Sequence, residues 1–152
     1  MNNINNGPER GKLLRELKHE FLNDINIEKL MPVLSLLKDT NVIVPVNRAE
    51  DVEGENFEPI EVPEGKTAFR MIPDMLQSGE KHFMPLFSNL DQIPKDYGDG
   101  LRMDLPAVKC FEMGLNSGRI QGFVLDAYTE PMELDLKMAK VVLQMAADEK
   151  NK

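Results

Sequence analysis

One cysteine, two histidines and 26 carboxylates are the reactive inventory of a 152-residue chain. Cys110 would be a nucleophile only as a thiolate, stabilised by a histidine or by the N-terminus of a helix. It falls in the opening turns of a helix that follows Asp104, beside Ala107 and Phe111, and reads as a packed structural thiol. His19 stands beside Lys18 and Glu20 on the charged face of a helix, and His82 opens a strand, so neither is placed to activate it. Asp126 and Glu130 flank a turn and could serve as general acid and base. Among 26 acidic residues such proximity arises easily.

Metal and phosphate chemistry find less. A zinc site needs about four Cys, His or carboxylate ligands in tetrahedral reach, and no paired spacing supplies them. The acidic stretch from Asn47 to Lys66 lacks the Asp-x-Asp-x-Asp-Gly order of a calcium loop, and Asp96-Tyr97-Gly98-Asp99-Gly100 reads as a plain turn. Asn116-Ser117-Gly118-Arg119 has no phosphate-loop lysine and follows a helix where a phosphate loop precedes one. No metal and no cofactor is expected. Ten methionines exceed the usual number, and flexible thioethers suit either core gaps or adaptable contact surfaces. Met71, Met75 and Met84, with Tyr128, are the binding candidates.

The formal net charge of −8 argues against nucleic acid and against anionic membrane surfaces, since both are bound through clustered Lys and Arg. No run approaches the roughly 20 apolar residues of a membrane span. A lone cysteine excludes an internal disulfide, and MNNINNGPERGK lacks the apolar core of a secretory signal, which together predict the cytoplasm.

These residues must be positioned by elements legible from periodicity. Residues 1–11 read as a disordered lead-in and 12–150 as one domain. Leu13, Leu14, Leu17 and Phe21 recur at helical steps, and Leu30, Val33, Leu34 and Leu37 predict a second helix over Ile27–Lys38 with Asn26 as its cap. Val42–Val46 is β-branched, and Pro45 within it predicts an edge or a bulge. Thr67–Pro73 and His82–Phe87 flank Ser78-Gly79 and predict a central antiparallel hairpin. Ser88 is expected to cap a short helix, Asp104 and Pro106 to open another, Gly122–Asp126 to form a buried strand, and Asp135 to cap the last helix. The sum is an α+β domain: a mixed sheet of five or six strands with helices packed against it, two at the N-terminus and one at the C-terminus.

Phe83-Met84-Pro85-Leu86-Phe87-Ser88, the Leu105–Leu115 helix and Gly122-Phe123-Val124-Leu125-Asp126-Ala127-Tyr128-Thr129-Glu130-Pro131 before a terminal helix stand in an order that resembles the N-terminal domain of the SseB, or enhanced serine sensitivity, family. Leu30-Met31-Pro32 and Val42-Ile43-Val44-Pro45-Val46 are similar to its entry helix and first strand, so the likeness covers about residues 27–143. Where many members read Asn-Pro, this chain has Asp126-Ala127. The resemblance implies a mixed sheet flanked by helices in bacterial cytoplasmic proteins, with no established chemistry. The expected function is a non-catalytic binding or protein-interaction module, acting on a protein partner or by self-association through the Val42–Val46 edge or an exposed helix face. The alternative is a hydrolase or transferase at Cys110 or the Asp126–Glu130 turn.

Overall fold

A computed structural model of the chain describes residues 8–48, 60–64, 67–97 and 101–150. Helix α1 (Pro8–Asn23) begins with Pro8 and Glu9, a proline at the first helical position and an acid in the first turn. Residues 8–11 therefore belong to the helix and not to a disordered lead-in; residues 1–7 lie outside the described residues. Helix α2 (Ile27–Lys38) has the expected bounds, and the Asn26 side chain accepts the Lys29 N–H at 2.9 Å. Helix α3 (Ala107–Ser117) stops at Gly118, whose φ of 66° is left-handed and closes the last turn without a Cβ penalty. Helix α4 (Leu136–Lys150) opens with Asp135 accepting the Met138 N–H at 2.8 Å. No described helix is long and apolar enough to cross a membrane.

The fold is α+β, and its described strands divide into two four-stranded sheets where one was expected. The first runs β2 (Ile60–Glu64), β3 (Thr67–Pro73), β1 (Asn41–Arg48), β6 (Arg102–Pro106), antiparallel throughout. The second runs β4 (Leu76–Ser78), β5 (Lys81–Leu86), β7 (Gly122–Leu125), β8 (Met132–Asp135), and is mixed because β5 and β7 are parallel. A bridge joins the sheets: Ile43 and Phe87 exchange N–H to O=C bonds of 2.8 and 2.9 Å.

Two pairings differ from expectation. The hairpin at Gly79 joins β4 to β5, whereas Thr67–Pro73 pairs with β1 and β2. The local turn signal was sound, but Pro73 and Asp74 end β3 before the hairpin starts. Strand β1 is interior, with β6 on one side and Phe87, just past the end of β5, then β3, on the other. Pro45 sits where that second neighbour changes, between the Ile43–Phe87 bridge and the Val46–Pro73 pair, and its carbonyl accepts the Asp74 N–H at 2.9 Å. A missing N–H costs no ladder bond at such a gap. The Val42–Val46 segment thus has no open edge for self-association.

One core joins both sheets to the helices. Met84, Leu86, Phe123, Leu125, Met132 and Leu134 project alternately from β5, β7 and β8 and are fully buried with Leu14, Val33, Leu37, Phe111 and Val142 from the four helices. Phe111 meets Phe123 edge to face at 4.9 Å, and Gly114 lies so close that an added Cβ would stand 2.5 Å from the Phe123 ring.

Candidate functional site

Asp126 follows the last residue of β7, at the carboxyl end of the parallel β5–β7 pair, where α/β sheets commonly hold ligands. Here protein fills the place. Asp126 is fully buried, with a left-handed φ of 55°, a conformation that Asp tolerates better than most residues. Ser88 donates twice, from its N–H to Oδ1 and from its hydroxyl to Oδ2, both at 2.8 Å. Lys18, 1% exposed, crosses from α1 to donate to Oδ2 at 3.0 Å and to the Glu130 carbonyl. The Asp126 N–H donates to Leu86 O at 2.8 Å, so the residue is bonded to α1, to the end of β5 and to its own turn.

This arrangement answers why α1 sits where it does. Gly11 passes so close to Ser88 that a Cβ would stand 2.5 Å from the Ser88 carbonyl oxygen, and the Arg15 guanidinium donates to the Ser88 hydroxyl at 3.2 Å. Ser88, expected to cap a helix, is spent on Asp126; Asn89 caps the 3-10 turn Leu90–Gln92 in its place. At the outer rim, His19 Nδ1 lies 2.6 Å from Glu130 Oε2, and Asn23 Nδ2 lies 3.0 Å from His19 Nε2. Glu130 and Asp126 are therefore brought together, with their carboxylates held by different partners. Asp126, with no exposed surface and both carboxylate oxygens engaged, is closed to a diffusing substrate in this arrangement.

Cys110 is also closed off. It is fully buried in α3, and desolvation pushes its thiol up to about 12, so the nucleophilic thiolate is absent at neutral pH. Among the described residues no group of three or more His, Cys, Asp or Glu could hold a metal ion.

The binding candidates scatter. Met84 is fully buried in the core, Met75 is half-buried against it, and the Met71 side chain lies outside the described residues. Among the candidates with described side chains, Tyr128 alone presents a large surface: it is 49% exposed, stacks on Phe87 at 6.3 Å and meets the Tyr97 ring at 5.5 Å. Tyr97 is fixed in turn, donating to Asp74 Oδ2 at 2.5 Å, with the Arg102 guanidinium 5.6 Å from its ring. Partial burial, with that hydrogen bond, raises its hydroxyl far above the ordinary tyrosine range and keeps it a neutral donor. Tyr128 forms one wall of a groove of about 570 Å³ on the outer face of the second sheet, floored by Leu76, Phe83, Val124 and Pro131.

Lys18 is the residue that sequence reasoning misplaced, on a solvated face with His19. The signal was present: Leu14, Lys18 and Phe21 follow at steps of four and three, the spacing of the buried stripe, and a lysine in such a stripe implies a buried acidic partner. No family model matches this chain, and comparisons with curated proteins and with solved structures give no match either.

Proposed function

We propose that this domain is a non-catalytic binding or protein-interaction module whose contact surface is the outer face of the second sheet around Tyr128. The observation that carries this reading is a division of labour. Asp126 and Cys110 are sealed in the interior, which leaves Glu130 at the rim paired with His19 and without its partner acid, while an aromatic ring braced by Phe87 and Tyr97 stands over an apolar groove. Rigid, half-exposed tyrosines give contact area at low entropic cost, which is what a recognition surface requires.

Membership of the SseB family belongs to the same proposal. It is supported by the succession of β5, Ser88, α3, β7, the Asp126–Pro131 turn, β8 and α4. A protein partner in the cytoplasm, with no role in nucleic-acid binding, is supported by the net charge of −8 and the single free cysteine.

A photo-crosslinking residue at position 128, compared with one at the exposed Lys140 of α4, tests the reading in native lysate. Specific adducts should form from position 128 and be absent from position 140. Turnover in a broad substrate screen that disappears in Glu130→Gln, at the partly exposed carboxylate of the turn, with no adduct from position 128, would establish the enzymatic alternative.

A further inference from the structure

We propose that the Tyr128 groove accepts a short extended peptide lying across the strands, with a lysine or arginine at Glu133 and an apolar side chain about four residues away over Leu76. The proposal rests on the binding-module reading and adds the chemistry of the partner.

The register of the sheet sets the geometry. Leu76 pairs with Phe83, Pro85 with Val124 and Val124 with Glu133, so these side chains share the face opposite the helices. From β8 to β4 there are three strand spacings, about 14 Å, which an extended chain covers in about four residues at ~3.3 Å each. In an extended peptide, residues i, i+2 and i+4 point the same way, so one face can meet Glu133, Val124 and Leu76 in succession. A groove of about 570 Å³ accommodates side chains of this size.

Charge selects the occupant. Glu133 lines the groove and is exposed, and among the described residues its carboxylate has no hydrogen-bonded or ion-paired partner. Asp135 projects from the same face two residues on, although it also caps α4. Lys81, at the hairpin end of β5, is the cation that the described strands of this sheet place on this face, and it lies on the far side of Phe83 from Glu133. The Glu133 end of the groove is therefore acidic within a chain of net charge −8, which favours a cationic segment and repels an acidic one.

The test titrates the 15N-labelled full chain with the nine-residue peptide GTKTVTLTG and with its counterpart GTETVTLTG. The lysine peptide should shift the amides of Leu76, Val124, Tyr128 and Glu133 in a saturable manner, with the glutamate peptide weaker by about tenfold. Glu133→Gln, an exposed and conservative change, should weaken the lysine peptide about two- to fivefold, the range of a surface ion pair, and should not weaken the glutamate peptide. Equal binding of both peptides in the groove would overturn the charge assignment while leaving the binding surface intact. Shifts confined to other surfaces, or none at millimolar peptide, would overturn the proposal. The fate of the broader reading is then decided by crosslinking from position 128.

Discussion

Replacing Lys18 by methionine keeps the buried four-atom stem and removes only the ammonium, so its effect isolates the ion pair. In the native protein that ammonium donates to Asp126 Oδ2 at 3.0 Å and to the Glu130 carbonyl, with 1% and 0% of the two charged side chains exposed. Breaking a buried pair by deleting one partner typically costs about 3–5 kcal/mol, because the remaining charge is left desolvated. Asp126 would still accept two hydrogen bonds from Ser88. Bonds to a charged group contribute about 1.5–3 kcal/mol each, which places the expected loss near the lower end, about 3 kcal/mol. With an m-value of about 2 kcal/mol/M for a domain of this size, the urea midpoint should fall by about 1.5 M. Asp126→Asn tolerates the left-handed backbone but strands the lysine, and should cost a similar amount. In the double variant neither charge remains, so its loss should be smaller than the sum of the single losses by about 2 kcal/mol. Urea unfolding followed by circular dichroism reads all three. A Lys18→Met loss under about 1 kcal/mol, with additive double-variant behaviour, would refute the claim that this pair fastens α1 to the sheet.

Cys110 should resist Ellman's reagent in the native state and react at the rate of unfolding once urea is added. Its thiol ionises near 9 in the unfolded chain and near 12 when folded. Its contribution is therefore fully present below about pH 9 and is lost through pH 9–12, by up to about 1.4 kcal/mol per pH unit; the difference between wild-type and Cys110→Ala alkaline unfolding curves measures it. Gly114→Ala should lower stability by about 1–3 kcal/mol in thermal unfolding despite better helix propensity, because the new methyl would stand 2.5 Å from the Phe123 ring and 2.6 Å from Ile120. Asn26→Ala should cost about 1 kcal/mol by removing the α2 cap, with near-ultraviolet circular dichroism unchanged.

The elements that were legible in the sequence are those decided locally. Asn26 and Asp135 cap their helices because a short polar side chain reaches an amide three residues on, whatever the rest of the chain does. The start of α1 was equally local, written in Pro8 and Glu9, yet an asparagine-rich prelude obscured it. Strand partners were not legible, because the choice between β4 and β3 as the mate of β5 depends on where β1 lies. Ser88 shows the same limit from the side-chain end: its type suits a helix cap, and only the spatial approach of Asp126, 38 residues away, redirects it. Tyr128 stood in the sequence as a bare aromatic, and its bracing by Phe87 and Tyr97 is purely tertiary.

The Lys18–Asp126 contact spans 108 positions of sequence, and this separation bears on how the chain is made. At about 5–20 residues per second, a ribosome that has finished α1 takes roughly 5–20 seconds more to deliver the acid that neutralises it. For that interval the nascent chain carries an amphipathic helix with a lysine in its apolar stripe, and an interior strand whose β6 partner residues 102–106 have only lately appeared. Burying that ammonium before its partner exists is costly, so the final docking of α1 should follow the synthesis of β7 and its turn.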